Sequence, residues 1–309
     1  MFQPYPISTK LFFALTTNSA NFAALKKMAL FGLFKRSTDP NAMSFWGHID
    51  ALRGHLFRSS LIVLILAVVL FCYPEFLFDT VIFGPLKNDF LTYRTFCKLG
   101  YWLQAKGIMT NGNDLCFGHY TFKLQSLGLS DQFTAQMWIA FIGGLILGSP
   151  YVLWEVWKFI KPALKEKEKK ASTGFIVSAT FLFISGVLFS YYVIVPLMVN
   201  FLGNYKVSEM VENNFTMDSY ISTVTTLTLS AGLIFELPIL VYFLTKFGLI
   251  TPEFMRKYRK HAIVVILIVA GVITPSPDIT SQLLVAFPLY LLYEASIFVS
   301  YFVIKKKGN

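Results

Sequence analysis

The sequence predicts an all-α polytopic membrane protein with six transmembrane helices and both termini in the cytoplasm. Three observations carry this. Hydrophobic residues make up 55% of the 309-residue chain and charged residues only 14%, with a mean hydropathy of +0.58. A soluble domain carries nearer a quarter charged residues. Apolar runs recur without a long polar linker between them, most of them long enough to cross a hydrocarbon core of about 30 Å. The basic residues, which give a net charge of +10, fall in short clusters between those runs. That is the pattern of membrane orientation and argues against a nucleic-acid surface. No phosphate-cradling glycine loop, zinc-spaced Cys/His set or HExxH motif appears. His48, His55, His119 and His261 are scattered, so neither a metal site nor a cofactor is expected.

Residues 1–42 read as a basic amino-terminal extension. They hold no clean 18-residue apolar span and no small-residue cleavage site, so neither a membrane helix nor a signal peptide is expected there. The membrane domain covers 43–304. Ser44 is placed to cap a short amphipathic helix that runs into the first span, about Leu56–Tyr73, ended by Pro74. Residues 75–132 form a long loop with five Lys/Arg against five Asp/Glu. The second span is about Phe133–Trp157. The loop Lys158–Ser172 then carries six lysines in fifteen residues. The third span, about Thr173–Val199, leads to residues 200–219, with one Lys and three acids. The fourth is Ile221–Phe243. Lys246–Lys260 has five Lys/Arg, and the tail 305–309 is basic again. Each short loop fits the positive-inside rule with cytoplasmic termini.

The last two helices are expected to be short or broken. His261–Thr274 would be only about 21 Å of helix against about 30 Å of hydrocarbon, so the bilayer should thin around it. The final span, about Ile279–Ile304, is interrupted by Pro288 and contains a second buried acid, Glu294. The fourth span holds a single ionisable group, Glu236, at a depth where a charge costs roughly 2.5–3.5 kcal/mol on insertion scales. Pro238 frees a backbone carbonyl near residue 234 and lets the helix bend beside the acid. Glu236 is therefore expected to face protein or a partly wet concave surface. Stepping back three or four residues along its helix reaches only Leu233 and Gly232, so any polar partner comes from elsewhere.

Cys97 and Cys116 both fall in the loop placed outside the cytoplasm, where disulfides persist, and are expected to pair. Closing a loop of about 20 residues adds about 3 kcal/mol in the chain-entropy picture. Cys72 is expected to stay a buried thiol in the first span.

Four segments in order resemble one family. HIDALRGHL at His48–Leu56 is similar to the HLxELRxRL signature of TatC, the multi-span receptor subunit of the twin-arginine protein translocase. WEVWKFIKPALKEKEKK (Trp154–Lys170), FELP (Phe235–Pro238) and TPSPDITSQ (Thr274–Gln282) continue the likeness over about 43–304. The resemblance implies a receptor in the bacterial cytoplasmic membrane that binds twin-arginine signal peptides of folded cargo proteins. It also implies single-span TatA-like and TatB-like partners, an oligomeric complex and energy from the proton-motive force. No enzyme chemistry and no nucleic acid are expected.

Residue by residue, the resemblance assigns signal-peptide binding to Glu168, Arg53, His48 and Phe159, with Asp50 as a candidate. The family glutamate of the signature falls on Ala51 here, and Asp50 sits one residue, about 100° of helix, before it. A double arginine calls for carboxylates on this basic face, and they are few: Asp50, Glu155, Glu166, Glu168 and Glu253. Taken by themselves, the loop glutamates also suit pairing with neighbouring lysines. Glu236 matches the family's mid-membrane acid. Thr274 and Gln282 match positions where single-span partners dock, and Thr274 equally suits a turn cap. Pro85, Pro162 and Asp278 match structural positions. The other reading is a proton-coupled secondary transporter using Glu236 and Glu294, a class that usually shows an internal repeat, which is absent between the two halves.

Overall fold

The computed structural model describes residues 45–108, 110–116, 118, 124–161, 172–206, 208, 210, 214–274 and 279–307. The expectations for residues 1–42 and for Pro162, Glu166, Glu168 and Asp278 lie outside the described residues. The chain divides into two units, Met1–Ala51 and Leu52–Asn309. Of the first, only the opening turns of α1 are described; the packing below belongs to the second.

The described residues are almost wholly helical and contain no strand. Helix α1, Phe45–Phe71, joins the expected amphipathic turn and the first span without a break. Helix α2 is Leu91–Ala105, and α3 is Asp131–Ile160. The third span is built of α4, Ser172–Phe189, a π-helical turn at Ser190–Ile194, and α5, Val195–Asn204. The fourth is α6, Met217–Phe235, and α7, Leu237–Lys246, separated by Glu236. Helix α8, Pro252–Lys257, precedes α9, Arg259–Ile273, and α10, Ile279–Lys307. Five stretches are long and apolar enough to cross a membrane: Leu52–Phe71, Asp131–Ile160, Gly174–Asn204, Met217–Lys246 and Val285–Lys305. Helix α9, at 15 residues, is the short one the sequence anticipates.

Helix packing follows from small residues. Gly144 and Gly148, four apart on α3, form a groove that receives Val63 and Ala67 of α1; a Cβ on Gly144 would come 2.8 Å from the Val63 carbonyl and the Ala67 amide. In lipid, close backbone approach of this kind is a main source of helix association. Gly186 of α4 and Gly232 of α6 permit a second close crossing, against Ala231 and Phe183 respectively. The centre is filled by Ile194, Val195, Ile221, Val224, Leu227, Ala270 and Leu289. Gln136 Nε2 donates to the Phe71 carbonyl at 2.9 Å and satisfies the end of α1.

Three expectations need correction. The last helix is not broken: α10 runs through Pro288. The long loop is partly helical, because α2 buries Thr92, Tyr93 and Gly100 on one face at helical spacing. Cys72 is exposed, since α1 ends at Phe71 and leaves the thiol in the following turn.

The loop carrying α2 is held to the bundle by tyrosine hydroxyls. Tyr191 of the third span donates to the Val81 carbonyl at 2.6 Å and Tyr220 of α6 to the Ile82 carbonyl at 2.7 Å, while within the loop Tyr93 donates to the Pro85 carbonyl at 2.7 Å. An isolated parallel bridge between Gln125 and Thr216 joins the segments that precede α3 and α6. A short 3-10 turn, Gly112–Leu115, lies against α2, where the Gly112 amide donates to Gln104 Oε1 at 2.9 Å. A Cβ on Gly100 would overlap the Gly112 carbonyl, so glycine is required at this contact. Cys97 on α2 is joined to Cys116 beyond the turn, with Cα atoms 4.3 Å apart. Counting free thiols on denatured, unreduced protein should therefore give one, Cys72; three reactive thiols would show the clasp to be open.

Candidate functional site

The polar groups of the membrane domain gather in three places. The first is where α3 ends. Glu155 is buried to 1% exposure, and its two oxygens are both engaged: Oε2 lies 2.6 Å from His55 Nδ1 of α1, and Oε1 accepts from Lys158 Nζ at 2.9 Å. His55 and Lys158 are 21% and 36% exposed, so these partners keep contact with solvent while the carboxylate has none. A carboxylate withdrawn from water in this way is tolerable only when it is paired and hydrogen-bonded. Lys158 Nζ also sits 3.6 Å above the Trp154 ring, and the Phe159 ring meets His55 edge-on at 6.3 Å. Trp157 packs on Phe175 of α4 and Phe243 of α7, with ring centroids at 4.4 and 5.4 Å. The end of α3 is thus fixed to α1, α4 and α7 at once.

Of the expected signal-peptide residues, this cluster receives Phe159. Arg53 is exposed on α1. The side chains of His48 and Asp50 lie outside the described residues, as does Glu168. In the sequence Glu155 is one of the few acids near this face and His55 one of four scattered histidines, with no motif to join them. They are 100 positions apart, so no local pattern links them. The available signal is chemical: Glu155 is followed by a lysine at i+3 and sits in the otherwise apolar WEVW.

The second place is the kink of the fourth span. Glu236 has φ −75° and ψ −8°, between α6 and α7, and its amide bonds the Leu233 and Ile234 carbonyls. Pro238 cannot donate to Ile234, and the Glu236 amide takes that acceptor instead. Glu236 is half-buried, and its Oε1 is buried with no hydrogen-bond partner among the described residues.

The third is the α9–α10 hairpin. Thr274 is buried, and its hydroxyl donates to the Ala270 carbonyl at 3.0 Å. Gln282 Nε2 donates to the Leu267 carbonyl at 2.7 Å, next to Gly271. Gln282 thus ties α10 to α9, whereas the Thr274 bond closes the last turn of α9. Pro85 is buried within a 3-10 turn, Gly84–Leu86, where its carbonyl serves Tyr93. Glu294 is not the buried acid expected: its side chain is 30% exposed, 2.6 Å from Arg259 Nη2, with Tyr290 donating to it at 3.1 Å.

Fold and sites together define a multi-pass helical membrane protein whose polar groups serve helix ends, a kink and a hairpin. Residues 47–288 match the family described as Sec-independent protein translocase protein (TatC). TatC of Blattabacterium sp. subsp. Periplaneta americana is 43% identical over 269 residues, 87% of this chain and 99% of that protein. TatCy of Bacillus subtilis is 34% identical over 260 residues, 84% of this chain and 89% of that protein. A crystal structure described as the twin arginine translocase receptor TatC superposes with a TM-score of 0.61 at 29% identity, covering 83% of this chain and 99% of that one. A second, in DDM, gives 0.63 at 30% identity, with 82% and 99% covered. The chain belongs to the TatC family and is a component of a protein translocase.

The buried carboxylate yields a stability prediction. His55→Ala strands one oxygen of the buried carboxylate and should cost about 3 kcal/mol. Glu155→Ala removes the buried charge itself and leaves partners that already reach solvent, so it should cost less. Thermal unfolding in detergent, following the loss of helical signal, should rank the variants in that order; an unchanged midpoint for His55→Ala would show that the cluster carries no stability.

Proposed function

We propose that this chain is the receptor and core subunit of a twin-arginine export system in the bacterial cytoplasmic membrane. It binds the paired arginines of signal peptides on folded cargo at its cytoplasmic face. It recruits single-span TatA-like and TatB-like subunits into an oligomeric complex, and the proton-motive force drives transport. The observation that carries this is the family match across nearly the whole membrane domain, with solved neighbours described as twin-arginine translocase receptors.

The chemistry supports it. A net charge of +10 with basic loops would repel a double arginine, so recognition depends on the few carboxylates at that face. Glu155 is already saturated by His55 and Lys158, which leaves Asp50, Glu166, Glu168 and Glu253; of these the resemblance gives the peptide contact to Glu168, with Asp50 as a candidate and Arg53, His48 and Phe159 as further contacts. Asp278 and Pro162 keep the structural roles the resemblance gives them. The apolar side chains that fill the bundle centre support a path for cargo that lies beside this subunit and includes its partners. Thr274 and Gln282 mark the hairpin at which those partners dock. The chain itself catalyses no covalent step in this reading. A secondary transporter is the weaker alternative: Glu294, its second proposed carrier, is tied to Arg259 at the surface.

Two predictions follow from the roles of the acids. Glu168→Ala removes a charge-assisted contact of about 1.5–3 kcal/mol and should weaken twin-arginine peptide binding about tenfold or more. Glu166→Ala should have little effect, and equal small losses in a titration of both variants would leave the two acids as partners of the lysines. Glu236→Gln keeps the size and hydrogen-bonding capacity of the side chain and should retain part of the transport activity. Glu236→Leu should lower transport of a folded reporter while peptide binding stays unchanged; full transport by the Leu variant would give Glu236 a packing role only.

A further inference from the structure

Helix α2 has one covered face and one open one. The 3-10 turn Gly112–Leu115 and the Cys97–Cys116 bond hold the covered side. The open side repeats at helical spacing through Leu91, Thr95, Lys98, Trp102 and Lys106, all exposed, with Arg94 and Leu99 flanking it. Leu91 and Trp102 are 59% and 56% exposed. Lys106 Nζ lies 5.7 Å from the Trp102 ring centre. The helix contains no acid, and Asp89, two residues before it, pairs with Arg94 at 3.4 Å with both groups in solvent. Amphipathic side chains of this kind, apolar in the body and cationic or polar at the tip, suit the boundary between hydrocarbon and headgroups.

The level of the helix can be read from its tether. Its first turn is attached to the third span, where Thr92 Oγ1 donates to the Tyr192 carbonyl and the Phe90 ring stacks on Tyr192 with centroids 5.6 Å apart. Span Gly174–Asn204 is 31 residues, and Tyr191 and Tyr192 lie 17 and 18 residues after Gly174. At about 1.5 Å per residue this places them about 26 Å along the helix, close to the far edge of a hydrocarbon core of about 30 Å. Tyrosines are enriched at that edge. Helix α2 therefore starts at the membrane surface.

We propose that α2 lies on the bilayer surface at this end of the bundle, with Trp102 and Leu99 in the interface and Lys98 and Lys106 on anionic phospholipid headgroups. The disulfide-closed turn sets the rotation of the helix and so presents this face. The occupant is the membrane that the chain already spans, and the proposal is independent of the translocase reading.

The test uses the full chain in vesicles and takes the tryptophan fluorescence of the wild type minus that of Trp102→Phe. Vesicles are phosphatidylcholine alone or with about 30% phosphatidylglycerol, and quenching is by acyl-brominated lipid or by aqueous acrylamide. The Trp102 signal should be quenched by the brominated lipid, more so with phosphatidylglycerol, and shielded from acrylamide. Each lysine near an anionic surface shifts occupancy about fivefold, so Lys98→Glu with Lys106→Glu should abolish the gain from phosphatidylglycerol. Trp102 open to acrylamide and untouched by brominated lipid, as for a face that awaits a protein partner, would overturn the proposal. So would bromolipid quenching that phosphatidylglycerol leaves unchanged.

Discussion

Within hydrocarbon a backbone carbonyl that loses its helical donor has no water to turn to, and this constraint organises much of the structure. At three of the prolines inside spans, the carbonyl four residues earlier loses its helical partner and finds another donor. For Pro150 that acceptor is Ile146, and Ser149 Oγ donates to it at 2.7 Å. For Pro196 it is Tyr192, inside the π-helical turn, and the hydroxyl of Thr92 takes it from another segment. For Pro238 it is Ile234, which accepts from the Glu236 amide. The three repairs differ in reach. The first is local and leaves α3 continuous, the second anchors α2 to the bundle, and the third bends the fourth span and fixes where Glu236 stands.

The two acids nearest the centre of the argument show what the same constraint does to charge. Glu155 is buried deeper, yet both oxygens have hydrogen-bond partners, and its surroundings brace four helices. Glu236 is less buried, but one oxygen is enclosed without a partner among the described residues. A saturated carboxylate has nothing left to offer an incoming group, whereas an unsatisfied one does. Burial alone would have ranked them the other way; hydrogen-bond satisfaction assigns Glu155 to architecture and leaves Glu236 available for function.

Much of the architecture was legible in the sequence because its signals are local. The apolar runs placed every long span within a few residues of the observed helices, and Pro238 marked the bend beside Glu236. The misses arise where distant residues decide. Glu155 and His55 are 100 residues apart, and Arg259 finds Glu294 across 35, so a buried acid and an exposed one could not be told apart from their flanking residues. Helix α2 was hidden for another reason. Its periodic face holds Thr92, Tyr93, Phe96 and Gly100, residues of modest helix propensity that only packing and the Cys97–Cys116 closure make helical. Pro288 misled in the opposite direction, because a proline within a span bends or strains a helix without obliging it to end.

The short helix joins these themes. Helix α9 has 15 residues, about 22 Å, between Arg259 and Lys260 at one end and the buried Thr274 at the other. Val264, Val265, Ile268 and Val272 are exposed along it, so no described part of the chain shields this side from lipid. Gln282 binds the Leu267 carbonyl and the small Gly271 lets α10 approach, which prevents α9 from sliding along its neighbour to match a thicker bilayer. Lengthening is excluded at one end by the Tyr258 turn and the Arg259–Glu294 pair. A helix that can neither grow nor slide would, in a hydrocarbon core of about 30 Å, leave a mismatch of roughly 8 Å to the bilayer, at a fraction of a kcal/mol for each ångström.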